Sequence, residues 1–347
     1  MSETQPRTST PRLWLAELSL LAVAFIWGVN IPIMKIALAM GIDRFALNGL
    51  RLVVSAISLL IFAALERRNG NRPNLRKHYF RVLSYAVLVS GLYQLLFLLA
   101  VSQTTSADIA LIMATVPLWT AIGARFFLNE HLTKLAWTGL LIAFAGTVLV
   151  TLQGAPVSRS PDVTQSDSAT TNTDSTNINS TNTTPADTAP TDIADTASSR
   201  RFAGNVIALF AALAWSAGTI LSRPVLSLIT PLQLAALSTV ICLPMHLAVA
   251  APTLPQSLAL LSSLTLVLCL LYSGTLSTGL AMPLWSYGVR QAGAAHATMF
   301  QNLSPIIAVV SAWLILGEAL SPSQAVGGSL ILGGLFVMRR ARHALPP

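Results

Sequence analysis

The residues best suited to recognising a small molecule fall in three short stretches, each inside an apolar run. Trp27 and Asn30 are three positions apart, hence on one face of a helix, and Pro32 follows closely. Tyr93 and Gln94 interrupt the run from Val82 to Val101, and Gln301, Asn302 and Ser304 precede Pro305. Aromatic rings offer flat stacking surfaces, amides offer a donor and an acceptor, and a proline frees the carbonyl one turn earlier. This is the chemistry of solute binding. An amide in an apolar run must find partners, across a helix interface or in a wet cavity. Both readings stand for Asn30 and Gln94, whereas the density of polar groups at Gln301 and Asn302 favours a cavity. Pro32, Pro117 and Pro305 mark the expected kinks.

Charged candidates are few. Arg51 lies about six residues, or ~9 Å, beyond Phe45 at the start of its run, and faces either a substrate carboxylate or Asp108. Lys35 and Arg223 sit near run ends, from which long stems snorkel to the interface. Glu130 and Glu318 fall beyond apolar cores and read as structural residues at helix ends, and His246 reads as hydrogen-bonded packing or as a coupling group. Tyr287 and Trp285 either stack on a planar substrate or anchor a helix at the interface. There is no Gly-rich phosphate loop of the Walker type, so ATP consumption is not expected. Cys242 and Cys269 lie inside apolar runs and read as core hydrophobes rather than disulfide or zinc ligands. No cofactor, no metal and no catalytic group is expected.

The elements that must position these residues follow from composition. Of 347 residues, 53% are hydrophobic and only 10% charged, against roughly 25% charged in a soluble domain, and the mean hydropathy is +0.65. That excludes a soluble globular fold and leaves a polytopic membrane protein. Ten apolar runs of spanning length occur, at 13–39, 45–65, 81–102, 106–128, 134–152, 203–223, 231–251, 257–289, 294–316 and 322–338. The first is too long for a signal-peptide core and is expected to remain as a span. Between Pro156 and Ser199 the chain turns to Ser, Thr, Asn, Asp, Ala and Pro, a composition that predicts disorder; its two Asn-x-Thr/Ser triplets are what such a run produces by chance.

The chain repeats itself without gaps at an offset of 188 residues. Trp27 matches Trp215, Lys35 matches Arg223, Gly91 matches Gly279, Pro117 matches Pro305 and Glu130 matches Glu318; Gly139 and Gly146 match Gly327 and Gly334. Trp215 thereby joins the cavity candidates. Five spans per half is an odd number, so the second half enters the membrane from the opposite side. The net charge of +8 reports orientation rather than nucleic acid, because Arg67, Arg68, Arg72, Arg76, Lys77 and Arg81 crowd one connection. Lys134, Arg290 and the Arg339, Arg340, Arg342 tail share its side. Both termini are therefore expected in the cytoplasm.

Five-plus-five inverted halves, the Trp27-to-Asn30 phrase, Arg51 early in span 2, and a proline followed 13 residues later by Glu in both halves resemble the EamA-type drug/metabolite transporter superfamily. The resemblance covers the chain apart from its tails and the polar insert. It implies an all-α polytopic membrane fold, ten transmembrane helices as two inverted five-helix repeats. The expected organisation is a cytoplasmic tail at 1–12, a first repeat at 13–152, a disordered polar outer loop at 153–200, a second repeat at 201–338 and a basic tail at 339–347. It further implies a multi-pass inner-membrane carrier that moves small metabolites, amino acids or related compounds, most plausibly outward. The cavity set is Trp27, Asn30, Tyr93, Gln94, Trp215, Tyr287, Gln301 and Asn302, with Arg51 as the substrate-charge partner. Its partners are the small-molecule substrate and the lipid bilayer, no nucleic acid, and a homodimer is an assembly such a bundle allows. The alternatives are a membrane sensor or scaffold acting through the outer loop, and a lipid-modifying enzyme.

Overall fold

The computed structural model describes residues 11–67, 79–104, 109, 112–113, 115–130, 132–153, 190–317 and 322–343. Among these the regular structure is helical throughout. In chain order the long elements are α1 (Pro11–Ala39), α2 (Arg44–Arg67), α3 (Tyr79–Tyr85, a π-helical Ala86–Tyr93, then Gln94–Gln103), α4 (Val116–Phe127) and α5 (Lys134–Gln153). The second half supplies α6 (Pro190–Val225), α7 (Pro231–Ala250), α8 (Leu264–Leu271, a π-helical Tyr272–Leu280, then Ala281–Ala292), α9 (Ala294–Met299, a 3-10 turn Phe300–Asn302, then Leu303–Leu316) and α10 (Pro322–His343). Seven of the helical segments are long and apolar enough to cross a membrane, and shorter apolar helices run over Lys134–Leu149 and Gln324–Met338.

Helix starts follow local chemistry. The Asp43 side chain accepts from the Phe45 and Ala46 amides at 2.9 and 3.1 Å and so caps α2. Thr230 and Gln233 form a reciprocal capping box with Pro231 in the first turn of α7. Two expected boundaries move. The eighth run does not begin at 257: Leu254–Ala259 is a separate short helix, and Ser263, with extended backbone at φ −78° and ψ 117°, breaks the chain before α8. Helix α6 begins at Pro190, inside the segment expected to be disordered, because Pro and then Asp192 favour a helix start and the alanines that follow sustain it. The rest of that insert, 154–189, lies outside the described residues, as do Asp108, Glu318 and much of the expected start of the fourth run.

The repeat recurs in three dimensions. The π-helical stretch of α3 has its counterpart in α8, one register of 188 residues away. Helix α1 packs on α9 as α6 packs on α4, and α2 lies along the π stretch of α8 as α7 lies along that of α3. Helices α5 and α10 pack on each other more extensively than any other pair. Their contact is glycine against backbone: a Cβ on Gly139 would come within 2.6 Å of the Gly334 carbonyl, and one on Gly146 within 2.6 Å of the Gly327 carbonyl. The outer surfaces carry large apolar side chains, among them Phe25, Phe80, Phe126, Leu264, Leu314 and Phe336, all well exposed. Hydrocarbon is the solvent that such a surface fits.

Candidate functional site

Four rings from both halves meet at the centre of the bundle. Trp27 on α1 and its repeat mate Trp215 on α6 contact edge to face, with centroids 5.7 Å apart. Trp285 on α8 lies 5.6 Å from Trp27 and 5.9 Å from Trp215, and Tyr93 on α3 lies 4.8 Å from Trp215. The pseudo-two-fold relation between the repeats therefore passes between two tryptophans. Polar groups hold the rings in place. The Trp27 indole N–H donates to the Ser277 carbonyl at 2.9 Å, within the π-helical stretch of α8, and the Trp215 indole N–H donates to Gln301 Oε1 at 3.3 Å. A π-helical turn shifts carbonyls off the regular i+4 pattern and frees one for such use, which is why these turns gather at functional sites.

Beside the rings, polar atoms stand without partners. Asn30 Oδ1, Asn302 Nδ2 and Ser304 Oγ are buried with no hydrogen bond among the described residues. They sit on α1 and α9, which approach so closely that a Cβ on Gly28 would lie 2.9 Å from the Ser304 carbonyl. Buried polar atoms are normally satisfied, so orphans on two packed helices point to water or ligand between them. Pro32 is buried inside α1, and Pro117 and Pro305 stand in the first turns of the helices starting at Val116 and Leu303. For Pro305 the break precedes it, at the 3-10 turn carrying Gln301 and Asn302, because its ring leaves no room for the carbonyl four residues back.

The charged residues are organised more tightly than expected. Arg51 Nε donates to Asn48 Oδ1 at 2.9 Å and Nη2 donates to Gln94 Oε1 at 2.9 Å, so Gln94 serves the guanidinium rather than the ring cluster. No carboxylate pairs with Arg51 among the described residues. Arg223 was expected to snorkel, and instead it forms an ion pair with Glu130. The same carboxylate accepts from the Ala294 and Ala295 amides, each at 3.2 Å, capping the start of α9. Gly293 makes room for it: φ there is +96°, and a Cβ would meet both Glu130 oxygens and Arg223 Nη1 at 3.1–3.2 Å. The ends of α4 and α6 and the start of α9 are thus tied at one point, beside a pocket lined by Ala121, Arg125, Leu132 and Trp137.

Of the expected cavity residues, Trp27, Tyr93, Trp215 and Gln301 come together directly, and Asn30 and Asn302 flank them with unpaired atoms. Tyr287 packs against the same apolar cluster. The sequence reading undervalued Trp285. It is 3% exposed and part of the ring cluster, not an interfacial anchor. Its distance from the helix end, seven residues before the Ala292 terminus, was the available signal. His296, 3.6 Å from Glu17 and edge to face with Phe300, was also missed.

An inverted helical repeat with an apolar exterior and a ring-lined seam defines a multi-pass membrane transporter, and the comparisons agree. The family model described as EamA-like transporter family matches residues 14–152 and again 202–340, two matches separated by the same offset of 188. The chain belongs to that family. It is 21% identical to the uncharacterized transporter YoaV of Bacillus subtilis over 92% of this chain and 95% of that one. It is 23% identical to a "Probable terminal-alkyne amino-acid exporter" of Streptantibioticus cattleyicolor, over 88% of each chain. It is 21% identical to the uncharacterized inner membrane transporter YedA of Escherichia coli, over 94% of this chain and 92% of that one. One solved structure matches with a TM-score of 0.68 at 18% identity, covering 95% of this chain and 99% of that one, a likeness of fold alone.

Proposed function

We propose that this transporter carries small carboxylate-bearing metabolites, amino acids or their relatives, out of the cytoplasm through ten spans arranged as two inverted five-helix halves. The observation that carries the reading is the seam itself: four rings for an apolar or planar substrate body, orphaned amide atoms for its polar groups, and a guanidinium without an acid partner for its carboxylate. An arginine holds its charge when buried, and a charge in a membrane interior is costly unless something pairs with it. The substrate is that partner. The amino-acid exporter among the relatives supports the same class.

Alternating access follows from the repeat. Glu130 ties the ends of α4, α6 and α9 at the face that the Lys/Arg distribution makes cytoplasmic, and its register mate Glu318 belongs with Lys35 at the opposite face. One tie closes while the other opens.

Counterflow in proteoliposomes tests the reading. L-phenylalanine should exchange, and phenethylamine, which lacks only the carboxylate, should not. Equal counterflow of both would remove the carboxylate from the proposal. Asn30→Ala should cut transport per folded molecule while lowering thermal stability little, since cavity water can replace the amide.

A further inference from the structure

The fastening of Arg51 continues beyond Asn48. Asn48 Nδ2 lies 3.2 Å from His246 Nδ1, and His246 Nε2 lies 2.7 Å from the Ser90 carbonyl, in the π-helical stretch of α3. Asn48 and His246 are each 2% exposed and Ser90 is 7% exposed. One proton arrangement satisfies the whole chain. The Ser90 carbonyl can only accept, so Nε2 carries the hydrogen; Nδ1 is then bare and accepts from the Asn48 amide N–H; Asn48 Oδ1 is left facing Arg51 Nε–H. Turning the amide over would set donor against donor at Arg51. Three helices, α7, α2 and α3, thus converge on one guanidinium, whose Nη1 remains for a ligand.

This chain of contacts is not part of the symmetric scaffold. The register of 188 residues puts Ser58 opposite His246, Ala236 opposite Asn48, Thr239 opposite Arg51, Thr278 opposite Ser90 and Met282 opposite Gln94. None of these can reproduce it, and Ser58 instead meets Thr275 at 3.1 Å. A feature needed only for packing an inverted repeat would recur in both halves. One confined to a single half beside the seam serves the substrate.

We propose that His246 and Asn48 are positioning residues that hold Arg51 in the orientation that receives a substrate carboxylate, and that a proton on His246 Nδ1 releases that hold. The proposal rests on the carboxylate reading above. A proton on Nδ1 turns the acceptor into a donor, the Asn48 amide must rotate to meet it, and Arg51 Nε then faces an N–H in place of an oxygen. The other titratable or charged groups on helices packed against α7 are Asp43 and Glu66 flanking α2, with Arg44 and Arg67 at its ends, Tyr79, Arg81, Tyr85 and Tyr93 on α3, and Arg290 on α8; Cys242 is on α7 itself, donating to the Ala86 carbonyl. Arg51 is the charge joined to His246 by hydrogen bonds.

The test uses the full chain in lipid nanodiscs and proteoliposomes. Nitrogen-15 NMR of labelled histidines, with His246→Gln giving the assignment, should show His246 as the Nε2–H tautomer; the Nδ1–H tautomer would overturn the proposal whatever the substrate proves to be. For L-phenylalanine counterflow, His246→Gln keeps a donor for Ser90 and an acceptor for Asn48, so KM should stay within about twofold of the unsubstituted protein. His246→Leu should raise KM about tenfold, the worth of one hydrogen bond to a charged group, with the maximal rate little changed. Lowering the pH from about 7.5 to 5, across the ordinary histidine range, should raise KM in the unsubstituted protein and leave His246→Gln flat. A KM that falls with acid would show imidazolium acting as a second cation and overturn the positioning role, as would equal behaviour of the Gln and Leu variants. Absence of any L-phenylalanine counterflow would strike the substrate reading alone, since the tautomer measurement decides the proton arrangement independently.

Discussion

Gly139 of α5 and Gly334 of α10 lie backbone to backbone, so that a Cβ on Gly334 would stand 2.5 Å from the Gly139 carbonyl. Their register mates, Gly327 and Gly146, make the reciprocal contact one turn of the symmetry away. Four glycines therefore do for the halves what one glycine stripe does for a membrane helix pair.

Gly334→Leu should force α5 and α10 apart and destabilise the protein by about 1–3 kcal/mol, the usual cost of overpacking. The expected readout is a lower melting temperature in detergent by fluorescence-detected size exclusion. Gly333→Leu, one residue away with open space at its Cβ, should melt like the unsubstituted protein. Equal losses would mean that general side-chain bulk, not the Gly139 contact, is responsible.

The Glu130 carboxylate holds Arg223 and two amides at the start of α9. Glu130→Ala should cost about 1–2 kcal/mol through the lost cap, and it should raise the reactivity of a cysteine placed at Ala121, in the adjoining pocket, toward a thiol reagent supplied from the inner face. Glu318→Ala should lower that reactivity. Identical responses to the two substitutions would contradict alternating ties.

Asp43 lies between α1 and α2, outside the spans. Burial pushes its carboxyl up, but the hydrogen bonds from Thr253 and from the Ala46 and Phe45 amides, with Arg44 nearby, outweigh this and hold it below the ordinary 3.8. A depressed folded value stabilises the protein above the unfolded one, and the contribution fades as pH falls through the folded value, so the window is below about pH 4. Asp43→Asn should melt lower at pH 7 by the equivalent of about 0.5–1 kcal/mol, and the gap should narrow below pH 4. A gap independent of pH would leave the charge without a role.

Orientation is checked by two single cysteines in a background lacking Cys242 and Cys269. Ser168→Cys should react with an impermeant thiol reagent on intact cells, and Asn71→Cys should not. The opposite pattern would reverse every inside and outside assignment.

Much of this architecture was legible in one dimension. Span positions follow from apolar runs because lipid permits no other exterior, and the inverted halves follow from Trp27/Trp215, Pro117/Pro305 and the glycine pairs because a repeat preserves its packing residues. Even the ring cluster was half visible, through Trp27, Tyr93, Trp215 and Gln301. What the linear chain could not decide was which side chains meet across helices. Trp285 near a helix end looked like an anchor, Arg223 looked free to reach the interface, and His246 looked solitary, because sequence spacing reports the face of one helix and is silent on the neighbour it turns toward. Only the packing of α7 against α2 and α3 brings His246, Asn48 and Arg51 into one hydrogen-bonded chain. Only the meeting of α4, α6 and α9 turns Glu130 from a helix-end acid into a tie, since donors and acceptors more than a hundred residues apart acquire their partners from the fold and from nothing local.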